Sequence, residues 1–324
     1  MLSRHFLRTK VLQSLYAYHI AGGEDLDTIE KNFKHNIKRL NDLAITQIST
    51  ILYFFDVARK SIEDAKVKFL PSNEEKNPNT RLVDNYFAIQ LSNNYELKKE
   101  CERLKINWSE YNTIFRNMYN GFKNTDTYKD YMALETVDFK QEKDMVLDVY
   151  RYVLNNETLA DIFIERNLFW ETDFFQIAQY MYTCLKSFDE SFTVDTPFPV
   201  IYDIRNDQEI DDCDFATTLL KKTILLSKEN TEVIKQNLKQ WEYDRVAVMD
   251  ILILKMAITE LTCFPSIPEI VTINEYVELS KEYSTDKSKL FVNGILDKIH
   301  NELRSQGKVK KQGRGLFDES IYTE

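Results

Sequence analysis

Between Val246 and Leu261 the chain is apolar on every side of a helical projection, broken only by Asp250, Lys255 and Glu260, three charges that share no face. A helix of that kind belongs in the middle of a bundle. Sixteen residues with three charges are too short and too polar for a bilayer span, which needs about twenty. Pro265 and Pro268 close this helix, and Thr272 with Glu275 three residues on reads as a capping box that opens another, running to about Tyr283. Ile273, Tyr276, Val277, Ser280 and Tyr283 give that helix a one-sided stripe. After the polar Ser284-Thr285-Asp286 connection, Leu290, Phe291, Gly294, Ile295 and Ile299 set out a last helix. Asn293-Gly294 could signal a hairpin, but its neighbours repeat every three or four positions. Gly294 is therefore read as a helix residue, at a cost of about 1 kcal/mol relative to alanine. The expected compensation is close approach of another helix.

Upstream the same period recurs. Leu7, Val11, Leu12, Leu15 and Tyr16 predict a first helix that Gly22-Gly23 ends, and a second follows from about Leu26 to Lys66 on a stripe including Leu40, Leu43, Ile48, Ile51 and Phe55. Leu70-Pro71 and the polar run 72–80 form a boundary by composition. Residues 81–200 are aromatic-rich at helical spacing, with Trp108, Tyr111, Phe115, Met118 and Tyr119 as one stripe and Phe174, Ile177, Tyr180, Met181 and Leu185 as another. Aromatics among lysines could mean base stacking, but stripes with equally plentiful acids point to core packing. Residues 192–207, with Pro197 and Pro199, are a second irregular stretch. Asp211, Asp212 and Asp214 then precede a helix through Phe215, Leu219 and Leu220, and are read as helix-start carboxylates rather than a metal site. An all-α fold follows, in segments 1–66, 67–207 (a helical insertion with linkers), 208–302 and a flexible tail 303–324. With only 7 Gly and 6 Pro, a turn-rich sandwich or barrel is disfavoured.

Charge narrows the function. A net charge of −10 means that the molecule as a whole repels nucleic acid, so any RNA site must be a local patch. One candidate is the first helix, where Arg4, His5, Arg8 and Lys10 precede any acid until Glu24. Cations facing the positive end of a helix dipole are misplaced by roughly 0.3–1 kcal/mol each at an exposed site, and an external anion would reverse that sign. A solvated basic end is the alternative reading. The four cysteines form no CxxC pair and no secretory leader precedes the first helix, so the expected compartment is the cytoplasm. No GxGxxG or P-loop run is present, and the four histidines lack zinc-ligand spacing. Glu275 and Glu278 could imitate an acid pair, but the first is read as part of the capping box and the second as solvated. No nucleophile, base and oxyanion site assembles. The expectation is a binding protein, not an enzyme, with no cofactor and no metal.

Three blocks in order carry a resemblance: Asp250-Ile-Leu-Ile-Leu-Lys-Met-Ala-Ile-Thr-Glu-Leu, then Ile267-Pro268 with Thr272-Ile-Asn-Glu-Tyr-Val-Glu-Leu-Ser-Lys, then Phe291-Val-Asn-Gly-Ile-Leu-Asp-Lys. They resemble the C-terminal half of the NusB transcription antitermination factors, and Arg4, Arg8 and Gln13-Ser14-Leu15-Tyr16 are similar to the start of that family. The resemblance covers about residues 1–60 and 208–300. Residues 67–207 have no counterpart in typical members and look like a central insertion in a NusB-like bundle. The resemblance implies an adaptor that binds boxA-type single-stranded leader RNA together with the ribosomal protein NusE, acts on RNA polymerase within an antitermination complex, promotes ribosomal RNA transcription, and leaves open a homodimer of the free protein. It implies RNA contacts at Arg4, His5, Arg8, Gln13 and Tyr16, and at Thr285, Lys287, Ser288 and Lys289. Asp250 matches the acid implied to meet NusE, and on sequence alone it reads equally well as a solvated aspartate. His5 and Phe6 stand where relatives often carry arginine, and Lys287 where they often carry an acid. Two rivals remain: a helical protein–protein scaffold in ribosome biogenesis, and a non-catalytic relative of the RNA-binding domain of ribosomal RNA cytosine methyltransferases.

Overall fold

The computed structural model describes residues 3–316 apart from 24, 168–169, 200, 202–206, 239–242 and 286, and apart from the side chains of 207–211, 213 and 314. Trp241, Asp286 and the tail residues 317–324 thus lie outside the described residues, as do the side chains of Asp211 and Cys213. Within them the chain is helical with no strand. No helix is long and apolar enough among these residues to cross a membrane.

Two compact units divide the chain, residues 1–36 with 202–324, and residues 37–201. The first contains α1 (Arg4–Ile20), the start of α2 (Leu26–Lys66), α11 (Asp207–Leu225), α12 (Ser227–Asn237), α13 (Val248–Cys263), α14 (Glu269–Tyr283) and α15 (Ser288–Ser305). As its all-round apolar pattern requires, α13 is the hub, packed against α1, α11, α12, α14 and α15. Ile253, Leu254, Met256 and Ala257 on it are fully buried.

The second unit takes the rest of α2 and α3 (Asn73–Lys76), α4 (Tyr86–Asn93), α5 (Tyr95–Arg103), α6 (Asn112–Phe122), α7 (Asp126–Ala133), α8 (Phe139–Leu154), α9 (Glu157–Arg166) and α10 (Phe174–Ser187). Its aromatics are core: Trp108, Phe115, Tyr119, Phe122 and Phe163 are buried, with Phe54 of α2 edge-on to Phe122 at 5.7 Å. That packing assigns α2 from Ile37 onward to this unit, whereas the composition break lay after Lys66.

Local rules misplace three features. α14 begins at Glu269 with Pro268 as its N-cap, because Thr272 and Glu275 spend their side chains on other helices instead of a capping box. The acids 211–214 lie inside α11, not at its start. The segment before Leu316 is packed: Lys311 Nζ donates to the Phe264 carbonyl at 3.1 Å and the Gln312 amide to that of Pro265 at 2.9 Å.

Candidate partner-binding groove

The N-terminal cations lie on the first turns of α1, whose N-cap Ser3 accepts from the Phe6 amide at 3.2 Å. Most of their charge is met inside the protein. Arg8, 2% exposed, donates twice to Glu260, from Nε at 2.8 Å and from Nη2 at 2.7 Å. Glu260 also accepts from the Thr272 hydroxyl and the Tyr276 phenol, both at 2.9 Å. Burial works against charge on Arg8, yet Glu260 holds its pKa above the ordinary arginine value. Unlike the exposed contact expected of it, the Arg8 guanidinium is enclosed and its donors are taken by acids of the same unit. Lys10 is buried, with Nζ donating to Gln13 Oε1 at 3.0 Å.

Arg4 donates to the buried Asp212 at 2.8 Å and keeps its side chain 40% exposed. His5 lies between Glu275, at 2.9 Å from Nδ1, and Glu282, at 3.2 Å from Nε2. The Glu275 hydrogen bond, against the effect of burial, raises the His5 pKa, and the same bond lowers that of Glu275. The exposed Glu278 carboxylate, lowered chiefly by Lys281, also feels Lys289 and His5. The start of α1 and the start of α15 thus share a flank of mixed charge. Tyr16 is 42% exposed on α1 and Gln13 half-buried.

A sharper site opens where the first turns of α13 and α15 meet. A cavity of about 620 Å³ is lined by apolar Val246, Leu290, Phe291 and Ile295, by Asp250, and by the cations Arg245, Lys287 and Lys298. Asp250 is 4% exposed; its Oδ2 accepts from the Ser288 hydroxyl at 2.9 Å, and its Oδ1 has no hydrogen-bond partner among the described residues. Ser284 and Thr285 steady Ser288 at 2.8 and 2.9 Å. A buried carboxylate oxygen without a donor is costly; Oδ1 is closed off from solvent, so an incoming N–H or cation reaches it only when the side chains over it part.

The structure therefore gathers Asp250, Thr285, Lys287 and Ser288 around one cavity, with Lys289 exposed beside it, while Arg4, His5, Gln13 and Tyr16 remain on α1. Sequence reasoning missed Lys298, Leu290 as an outward residue (77% exposed), and Gly294 as floor. A Cβ built on Gly294 meets nothing within 4 Å, so no helix approaches it and the expected compensation is absent.

The groove thus sets a buried carboxylate and a serine hydroxyl under apolar walls in an all-helical unit. Residues 187–301 match the NusB family model, and this segment is a NusB-family domain. The chain is 41% identical over 104 residues to the "Transcription antitermination protein NusB" of Salinibacter ruber, across 32% of this chain and 65% of that protein. To the proteins of the same name from Chloroherpeton thalassium and Natranaerobius thermophilus it is 40% identical over 105 residues and 39% over 89. These matches cover 32% and 28% of this chain, and 50% and 64% of those relatives. The chain thus spans between 50% and 65% of the length of these relatives. No solved structure matches it. The domain match stops short of α1, yet α1 packs against α11 and α13 within the same compact unit.

Proposed function

We propose that the protein is a non-catalytic transcription antitermination factor that binds boxA-type leader RNA together with the ribosomal protein NusE, as part of an RNA polymerase antitermination complex in the cytoplasm. The observation that carries this reading is Asp250: a carboxylate held under apolar walls with one oxygen unpartnered, inside a NusB-family domain. A basic ribosomal protein supplies the missing donor by inserting a lysine or arginine, whose aliphatic stem lies against Leu290 and Ile295.

RNA contacts fall to the exposed groups on the flank, Arg4, Tyr16, Thr285, Lys287 and Lys289, with Gln13 and Ser288 positioning their neighbours and His5 tied to its acids. Cations there hold phosphates while Tyr16 offers a stacking face. On a molecule of net charge −10, such a patch needs the partner's added positive charge to retain RNA. The test is the affinity of NusE for wild type and for Asp250→Asn. Loss of the carboxylate's charge is expected to weaken binding about thirtyfold, corresponding to about 2 kcal/mol for a desolvated charge pair. Equal affinities would overturn the assignment.

A further inference from the structure

In the aromatic unit, α8 and α10 leave a separate cavity of about 350 Å³. Phe175 and Tyr182 stand two turns apart on one face of α10, about 11 Å along the axis, with the small Ala178 between them in the lining. Phe175 is 68% exposed, whereas its neighbours Phe174 and Tyr150 are buried; Phe174 steadies it edge-on at 5.3 Å. Across the cavity, the Arg151 guanidinium lies over the Tyr182 ring, 4.6 Å from its centre, and donates to its hydroxyl. Asn155 and Gln179 place side-chain amides at the edge with no side-chain hydrogen bond among the described residues.

We infer that this cavity binds an unpaired nucleobase, stacked on the exposed ring of Phe175 with the Arg151–Tyr182 pair at the far end of the cavity, its edge met by the amides of Asn155 and Gln179. Aromatic rings and guanidinium planes are the surfaces on which single-stranded bases stack, and an amide both donates and accepts, as a base edge requires. An aliphatic side chain from a protein partner would leave those amides unused. Residues 37–201 hold more acids than lysines and arginines, so phosphate attraction does not drive this site and stacking must. The base belongs either to an RNA strand or to a free nucleotide. The site lies outside the NusB-family match and does not depend on the Asp250 groove.

The experiment is photocrosslinking of the full chain to an unpaired decamer carrying 5-iodouridine, with adducts mapped by mass spectrometry and uridine monophosphate as competitor. The expected result is an adduct on Tyr182 that falls roughly tenfold, at sub-saturating RNA, in Phe175→Ala. Because Phe175 is exposed, that variant keeps its fold, which its circular dichroism checks. Competition by the mononucleotide at equal concentration assigns a free nucleotide; resistance to it assigns a strand. No adduct on α10, or an unchanged Tyr182 yield in Phe175→Ala, overturns the proposal. Asp250→Asn leaves the Tyr182 adduct in place, which separates this site from the groove.

Discussion

Glu260 accepts four hydrogen bonds from three side chains, one of them 252 residues away in sequence, and none reaches solvent. Removing one partner of such a pair strands a buried charge. Arg8→Ala is therefore expected to cost about 3–5 kcal/mol in urea unfolding, while the double substitution Arg8→Met with Glu260→Met, which removes both charges but leaves the Thr272 and Tyr276 hydroxyls without their acceptor, is expected to cost less than the single one. A loss below 1 kcal/mol for the single variant would contradict the buried-pair account. Any RNA-binding defect of Arg8 variants is then a folding defect. His5 acts through protonation. Its folded pKa is raised, so its contribution is fully present below the unfolded value of about 6.5 and lost as pH rises through the folded value. The melting temperature should drop from pH 6 to pH 8.5, and drop less in His5→Gln; parallel pH profiles for the two proteins would refute this.

At the scale of elements, Gly294 separates folding from function. With open space around its Cβ position, Gly294→Ala should stabilise α15 by up to about 1 kcal/mol, and Gly294→Phe should fill the groove and weaken partner binding while the fold survives. Destabilisation by alanine, measured by thermal melting, would show that a neighbour needs the glycine after all. The sequence pattern reveals elements whose periodicity is self-sufficient. α13 is apolar all round, and α2 has the expected bounds, Leu26 to Lys66. It misleads where one side chain serves two grammars: Thr272 and Glu275 fit a capping box but bond to Glu260 and His5 across the bundle. Likewise Arg4 and Arg8 read as part of an exposed basic end, since their acids Asp212 and Glu260 lie more than 200 residues on. Local rules cannot see a partner that only tertiary packing supplies.

Across the whole molecule, the family-like unit closes only when α1, at the chain's start, packs against helices beyond residue 206. The intervening unit has its own aromatic core. Within the family-like unit, the resemblance marked Asp250, Thr285, Lys287 and Ser288 as candidates, but that they line one cavity required the fold. The most direct test of the account is calorimetric titration of NusE into the full wild-type chain and into Asp250→Asn. The account predicts a one-to-one complex with wild type and an affinity about thirtyfold weaker for the variant. No complex with wild type, or indistinguishable affinities for the two chains, would contradict it.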